Sequence, residues 1–211
     1  MEEFQLGEAE RATHDFFWGE FCDWYLELAK LRLRGGDASP LPVMVEGLDT
    51  CLRLLHPFMP FVTEELWQHL RPYLPEPPEA LIVAPYPTPR PEAIDPQAEA
   101  EMGLVMELVR AIRQVRTELR LPPDRWMEAV VHAGGNAPAL SGHGEAVETL
   151  ARARPLTVVD APLKSRPAQG IVLVLSGAEV VLPLEGVDLA AERRRLETEV
   201  GEAEAEIARL Q

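Results

Sequence analysis

From residue 8 to residue 33, apolar positions recur at helical spacing. Phe17, Phe21, Trp24, Leu28 and Leu31 fall at i, i+4, i+7, i+11 and i+14, one face of a long helix. Trp18, Cys22, Tyr25 and Leu26 widen that face around most of the circumference, which predicts a helix contacted on several sides. On this spacing Trp18, Trp24, Tyr25 and, further on, Trp67 read as core residues, although aromatic rings can also serve as stacking platforms. Gly35-Gly36-Asp37 ends the helix, since glycine reaches the left-handed conformation cheaply. A second helix is expected from about 40 to 56, with Leu48, Cys51, Leu52 and Leu55 buried, Ser39 as N-cap and Pro40 in the first turn. His56-Pro57 closes it. Pro60 then opens a third helix running through Phe61 to about Arg71, so HPFMPF forms a tight apolar corner.

The pattern changes at 72–96, where nine of 25 residues are proline. That composition predicts an extended connector wrapped over the surface, pinned by the apolar run Leu81-Ile82-Val83-Ala84. A fourth helix is expected over 96–121, with Leu104, Leu108, Ile112, Val115 and Leu119 in one stripe and Pro122-Pro123 as its stop. Beyond it come short runs rich in Val and Leu: Met127–Ala133, Leu156–Val159, Ile171–Leu175 and Val180–Leu184. A short helix near 144–153 separates the first two, and Ser176-Gly177 suggests a hairpin between the last two. Finally Leu189, Leu196, Ala203 and Leu210 are spaced by seven, with Val200 and Ile207 four after two of them, a heptad stripe without a partner helix. Arg193 interrupts it, and the helix reaches Gln211 without a cap, so the sequence reads as cut, not finished.

These elements give a mainly α fold: a helical bundle, a small α/β appendage and a coiled-coil helix. The expected domains are 1–123 with the connector at 72–96, then 124–187, then 188–211. A length of 211 residues, 46% of them hydrophobic, fits one or two domains with real cores. No apolar run of about 18 residues predicts a membrane span, and the acidic N-terminus does not resemble a signal peptide. Cys22 and Cys51 read as buried thiols of a reducing compartment.

Charge sharpens the picture. The formal net charge is −15, which taken alone argues against a nucleic-acid partner. It is unevenly spread, however: residues 1–80 carry 15 acidic and 6 basic side chains. Within 110–125, Arg110, Arg113, Arg116, Arg120 and Arg125 meet only Glu118 and Asp124. On a helix of 100° per residue, the first four of these point about 120° away from the apolar stripe, which predicts one exposed arginine flank. Arginine outnumbers lysine 18 to 2; this suits bidentate phosphate contacts and equally suits a bias in genome base composition.

Catalytic patterns are missing from the sequence. It holds no G-x-x-x-x-G-K-[ST] loop, no G-x-G-x-x-G, no G-x-S-x-G, no C-x-x-C and no H-E-x-x-H. Its five histidines lack ligand spacing, so no metal site is expected. Glu64 and Glu65 are adjacent on a helix, point about 100° apart, and read as first-turn acids favoured by the dipole.

Two stretches are more specific. EFCDWYLELAK (20–30) and LLHPFMPFVTEELWQ (54–68) together resemble the anticodon-binding helical bundle of the valyl-tRNA synthetase family, class I aminoacyl-tRNA synthetases. LIVAPYP (81–87) looks like that family's connector, LVRAIRQVRTELRLPP (108–123) like its next helix, and VVLPLEGVDLAAERRRLETEV (180–200) like the start of its coiled-coil arm. The resemblance implies a fragment that recognises valine-accepting tRNA, without the HIGH and KMSKS signatures of the catalytic domain. It implies ATP and Mg for the full-length enzyme but no cofactor in this stretch, a cytoplasmic location, a monomeric full enzyme, and no DNA partner.

On that reading the phosphate contacts are Arg110, Arg113, Arg116 and Arg120, joined by Lys30, Arg32 and Arg34 at the end of the first helix and by Arg53. Lys30, Arg32 and Arg34 equally suit the dipole at a helix C-terminus. Arg193-Arg194-Arg195 fan around their helix, so at most two can face one surface. The alternative is a free-standing interaction module, or a tRNA-binding accessory protein, docking through its heptads.

Overall fold

The structure is a computed structural model and describes residues 6–161, 169–184, 193, 194, 197, 198, 200, 201 and 207–209. The chain forms two compact units, divided between Ile94 and Asp95. The switch from helical to strand-like sequence at Pro123 and the division between units therefore do not coincide.

The first unit begins with one continuous helical rod. It is α-helical over Leu6–Phe16 (α1), π-helical over Phe17–Leu26, and α-helical again over Glu27–Arg34 (α2). A π turn closes i→i+5 bonds and is wider than an α turn. Residues four apart then come nearer to register, and Phe17, Phe21 and Tyr25 form a continuous stack. Their ring centroids are 5.9 Å and 5.8 Å apart, with interplanar angles of 23° and 9°. The altered winding also corrects the expected burial. Phe21 and Trp24 are buried, but Trp18 is 55% exposed, because an α-helical wheel no longer places the residues that follow Phe16. The rod ends as expected, with Gly36 at φ +84.

Helix α3 spans Leu41–Leu55 and α4 spans Pro60–Leu70. Ser39 does not cap α3; its hydroxyl accepts from Arg32, and its own N–H donates to Asp37. The π segment and α3 approach closely at Gly47, where a Cβ would lie 2.6 Å from the Phe21 ring. At the corner between α3 and α4, His56 Nδ1 lies 2.7 Å from the Thr63 hydroxyl. That hydroxyl donates to Met59 O at 2.7 Å, so Nδ1 carries the proton and Thr63 accepts it. Behind the corner, Leu52, Trp67, Leu70 and Leu81 form a buried cluster. Leu81 is the connector's anchor, supported by Ala84, whereas Ile82 and Val83 stay exposed.

The second unit starts with α5, Pro96–Glu118, capped by Asp95, whose carboxylate accepts from Gln97 N and Ala98 N. Its stripe is buried as predicted at Leu104, Leu108, Ile112 and Val115, with Val105 and Val109 added. Strand β1 (Met127–His132) leads through α6 (Ala137–Gly142) and α7 (Gly144–Ala151) into β2 (Ala153–Val159). β1 and β2 are parallel, as a helical crossover requires. The hairpin of β3 (Gly170–Val174) and β4 (Glu179–Pro183) completes a mixed sheet in the order β2-β1-β4-β3. Val131, Val180, Val181 and Leu182 fill its core.

The fold is mainly helical with a small α/β part, as the sequence pattern implied. Of the terminal heptad stripe, Leu189, Leu196, Ala203 and Leu210 lie outside the described residues. Val200 and Ile207 are helical and more than half exposed.

Candidate nucleic-acid interface

Several basic side chains of the first unit are drawn into local pairs. Lys30 donates to Glu27 at 2.5 Å, one turn back on α2. Arg32 reaches around the helix end to Asp37 and Ser39, both at 2.8 Å. The Ser39 hydroxyl and N–H, followed by the Arg32 guanidinium, hold the Asp37 carboxyl below its ordinary range. Arg34 is exposed at the end of α2. Arg53 turns inward: its Nε stands 2.9 Å from Asp49 Oδ2, and its Nη1 donates to Pro85 O at 3.2 Å. Asp49 also accepts from Trp67 Nε1 at 2.7 Å, so one carboxylate ties α4 to a guanidinium that fastens the connector. Beside this pair lies an open groove of about 690 Å³, lined by Leu41, Val45, Glu46, Asp49, Arg53 and Tyr73 among others.

In the second unit the arginines of α5 divide. Arg110, Arg113 and Arg120 are exposed, but Arg116 is only 8% exposed, which corrects the expectation of a single solvent-facing flank. Leu119 closes α5 and Arg120 follows at φ +48, so the chain folds back and lays Pro122 over the Arg116 guanidinium. Arg116 donates to Pro122 O at 3.0 Å and, at the 3.4 Å limit, to Arg152 O. Burial, and then the charges of Arg152 and Arg125, press its pKa below the ordinary value. Arg113 Nε donates to Leu150 O at 2.8 Å. Arg113 thus reaches the last turn of α7, and Arg116 the residue that joins α7 to β2.

The starts of β1 and β2 contribute residues which local patterns did not single out. Trp126 precedes β1 and Arg152 precedes β2, and the parallel register pairs Met127 with Ala153. The register sets the indole beside two arginines: Arg152 Cζ is 5.3 Å and Arg154 Cζ 4.7 Å from the ring centroid. Such distances are those of cation–π contacts. Glu148 holds Arg154 from one side at 2.9 Å. No local periodicity links residues 126 and 152; only the strand pairing does.

Among the described residues no group of three His, Cys, Asp or Glu is placed to hold a metal ion, and no helix is long and apolar enough to cross a membrane. Burial, and then the neighbouring Cys22, push the Cys51 thiol up to about 11, which makes it a weak nucleophile.

Residues 1–131 match the family described as the anticodon-binding domain of tRNA ligases. The whole chain is 50% identical over 215 residues to a valine–tRNA ligase of Dehalococcoides mccartyi. It is 38% identical over 216 residues to one of Carboxydothermus hydrogenoformans, again along its full length. Against one of Bacillus subtilis, 99% of the chain aligns at 37% identity. In all three comparisons the chain spans 24% of the relative's length.

Proposed function

Because the chain belongs to the anticodon-binding domain family of tRNA ligases, we propose that it is the tRNA-recognising part of a valine–tRNA ligase. The full protein would join valine to its tRNA using ATP and Mg. The HIGH and KMSKS signatures of the catalytic domain do not occur in this sequence, and no residue here is assigned to either group. The role of this stretch is to grip RNA in a cytoplasmic enzyme that acts as a monomer.

Beyond the family match, the observation that carries the reading is that Arg110 and Arg113 on α5, and Arg120 just past its end, are exposed in a chain of net charge −15. Arg110, Arg113 and Arg120 hold phosphates of the anticodon arm, and Arg116 acts from beneath as a positioning residue. Phosphate contacts fix register, while specificity comes from unstacked loop bases read at their edges. The groove beside Arg53 suits one such base, with Tyr73 (74% exposed) as a ring to stack on and Glu46, Asp49 and Arg53 as polar partners. Lys30, Arg32 and Arg34 contribute at the α2 terminus, with Lys30 and Arg32 released from their surface pairs at small cost.

The test is equilibrium binding of a valine-accepting tRNA and its anticodon stem-loop to the folded chain over a salt series. Binding that weakens steeply with salt is expected. No binding at low salt overturns the reading.

A further inference from the structure

We infer that Trp126 and Arg152, where β1 and β2 begin, form a second RNA-binding site that takes a phosphodiester and its nucleotide beside the α5 arginines. The inference rests on the RNA-binding reading above and extends it beyond residue 131, where the family match ends.

Four observations converge on this place. Arg152 lies over the Trp126 ring on the exposed end of the sheet, at a left-handed φ of 56° that holds it at the turn into β2. Its main-chain carbonyl accepts from the buried Arg116, so a guanidinium stands beneath the turn. The charged neighbours that shift Arg116 are both cations, Arg152 and Arg125, an arrangement that an arriving anion relieves. Of the arginines near the indole, Arg154 already has its carboxylate in Glu148, which leaves Arg152 as the group that meets the ligand.

The chemistry favours RNA over an acidic protein segment. A guanidinium over an indole offers a bidentate phosphate donor next to a planar stacking surface. A nucleotide matches both parts, whereas a carboxylate side chain matches only the first. Arg113 contacts the last turn of α7, just before Arg152, through Leu150 O, so the site continues the α5 flank.

The decisive measurement is tRNA affinity against salt for the 211-residue chain carrying Arg152→Asn, Arg152→Lys or Trp126→Leu. Asparagine tolerates the left-handed φ, so Arg152→Asn should keep the thermal midpoint. It should weaken binding several-fold and lower the slope of log K against log salt by about 1. Arg152→Lys should keep the slope, and Trp126→Leu should weaken binding with the slope unchanged. Should Arg152→Asn lose its fold, Arg152→Gly, which also tolerates the left-handed φ, supplies the slope test in its place, with the same expectation. An unchanged slope and affinity in a folded variant overturns this site while leaving the α5 reading intact. Failure of the unaltered chain to bind tRNA overturns both.

Discussion

The two units hold arginine in different ways. In the first, the cations with a partner named above lie beside a carboxylate a turn or a loop away: Arg32 with Asp37, Arg53 with Asp49, and likewise Arg90 with Glu46. In the second, Arg154 also pairs with Glu148, but Arg116 donates to carbonyl oxygens and Arg152 lies over an indole, neutral partners that leave the charge of these two uncancelled. The contrast teaches that a net charge of −15 describes the chain and not its surfaces. The net negative charge is concentrated in the first 80 positions, where 15 acidic side chains face 6 basic ones. Within α5 the arginines gather at its C-terminal end, after Glu99, Glu101 and Glu107.

The comparison implies that mutations in the packed interior of the first unit cost stability and that mutations of the exposed arginines on α5 cost affinity. The largest expected effect is Trp67→Ala. It empties a fully buried site and strips Asp49 of a donor, so unfolding should become easier by about 3–5 kcal/mol in a denaturant titration. Gly47→Ala comes next, because its Cβ would meet Phe21 and disturb the aromatic stack. A loss of about 1–3 kcal/mol is expected, and no change in the melting temperature would show that the rod and α3 stand further apart than described.

Arg53→Ala and the pair Arg110→Ala with Arg113→Ala then bear on the contrast itself. Arg53→Ala should lower stability by about 1 kcal/mol by freeing the connector, with the salt slope for tRNA unaltered. The α5 pair should flatten that slope and weaken all tRNAs alike, since phosphate contacts carry no sequence information. If Arg53→Ala flattens the slope instead, the distinction between the units collapses.

The smallest effect concerns Asp37. Its folded pKa is lowered, so its stabilisation is present above the ordinary carboxylate value of 3.8 and is lost as pH falls through the lower folded value. Melting temperatures followed from pH 5 downward should therefore fall slightly less for Asp37→Asn than for the unaltered chain.

Much of the fold was legible because its determinants are local. The α5 stripe, the Gly36 stop, the HPFMPF corner and the alternation into short strands all appear where periodicity and turn chemistry put them. The misses have one origin. An α-helical period was assumed through Phe17–Leu26, and the π winding moved Trp18 outward. Ser39 had the residue type of a cap, but Asp37 took its N–H and Arg32 its hydroxyl. Arg116 had the angular position of a surface residue, but the return of the chain at Arg120 covered it.

The sequence by itself determined the helices, the connector, the strand-rich segment and the presence of a basic run in an acidic chain. These follow from residues close together along the chain, where the helical repeat and proline or glycine stereochemistry set the outcome. Only the tertiary structure decided which arginines face outward and which residues stand beside them. Trp126 meets Arg152 because two parallel strands pair Met127 with Ala153. That register is a contact between distant segments, fixed by burial in the sheet and not by local spacing.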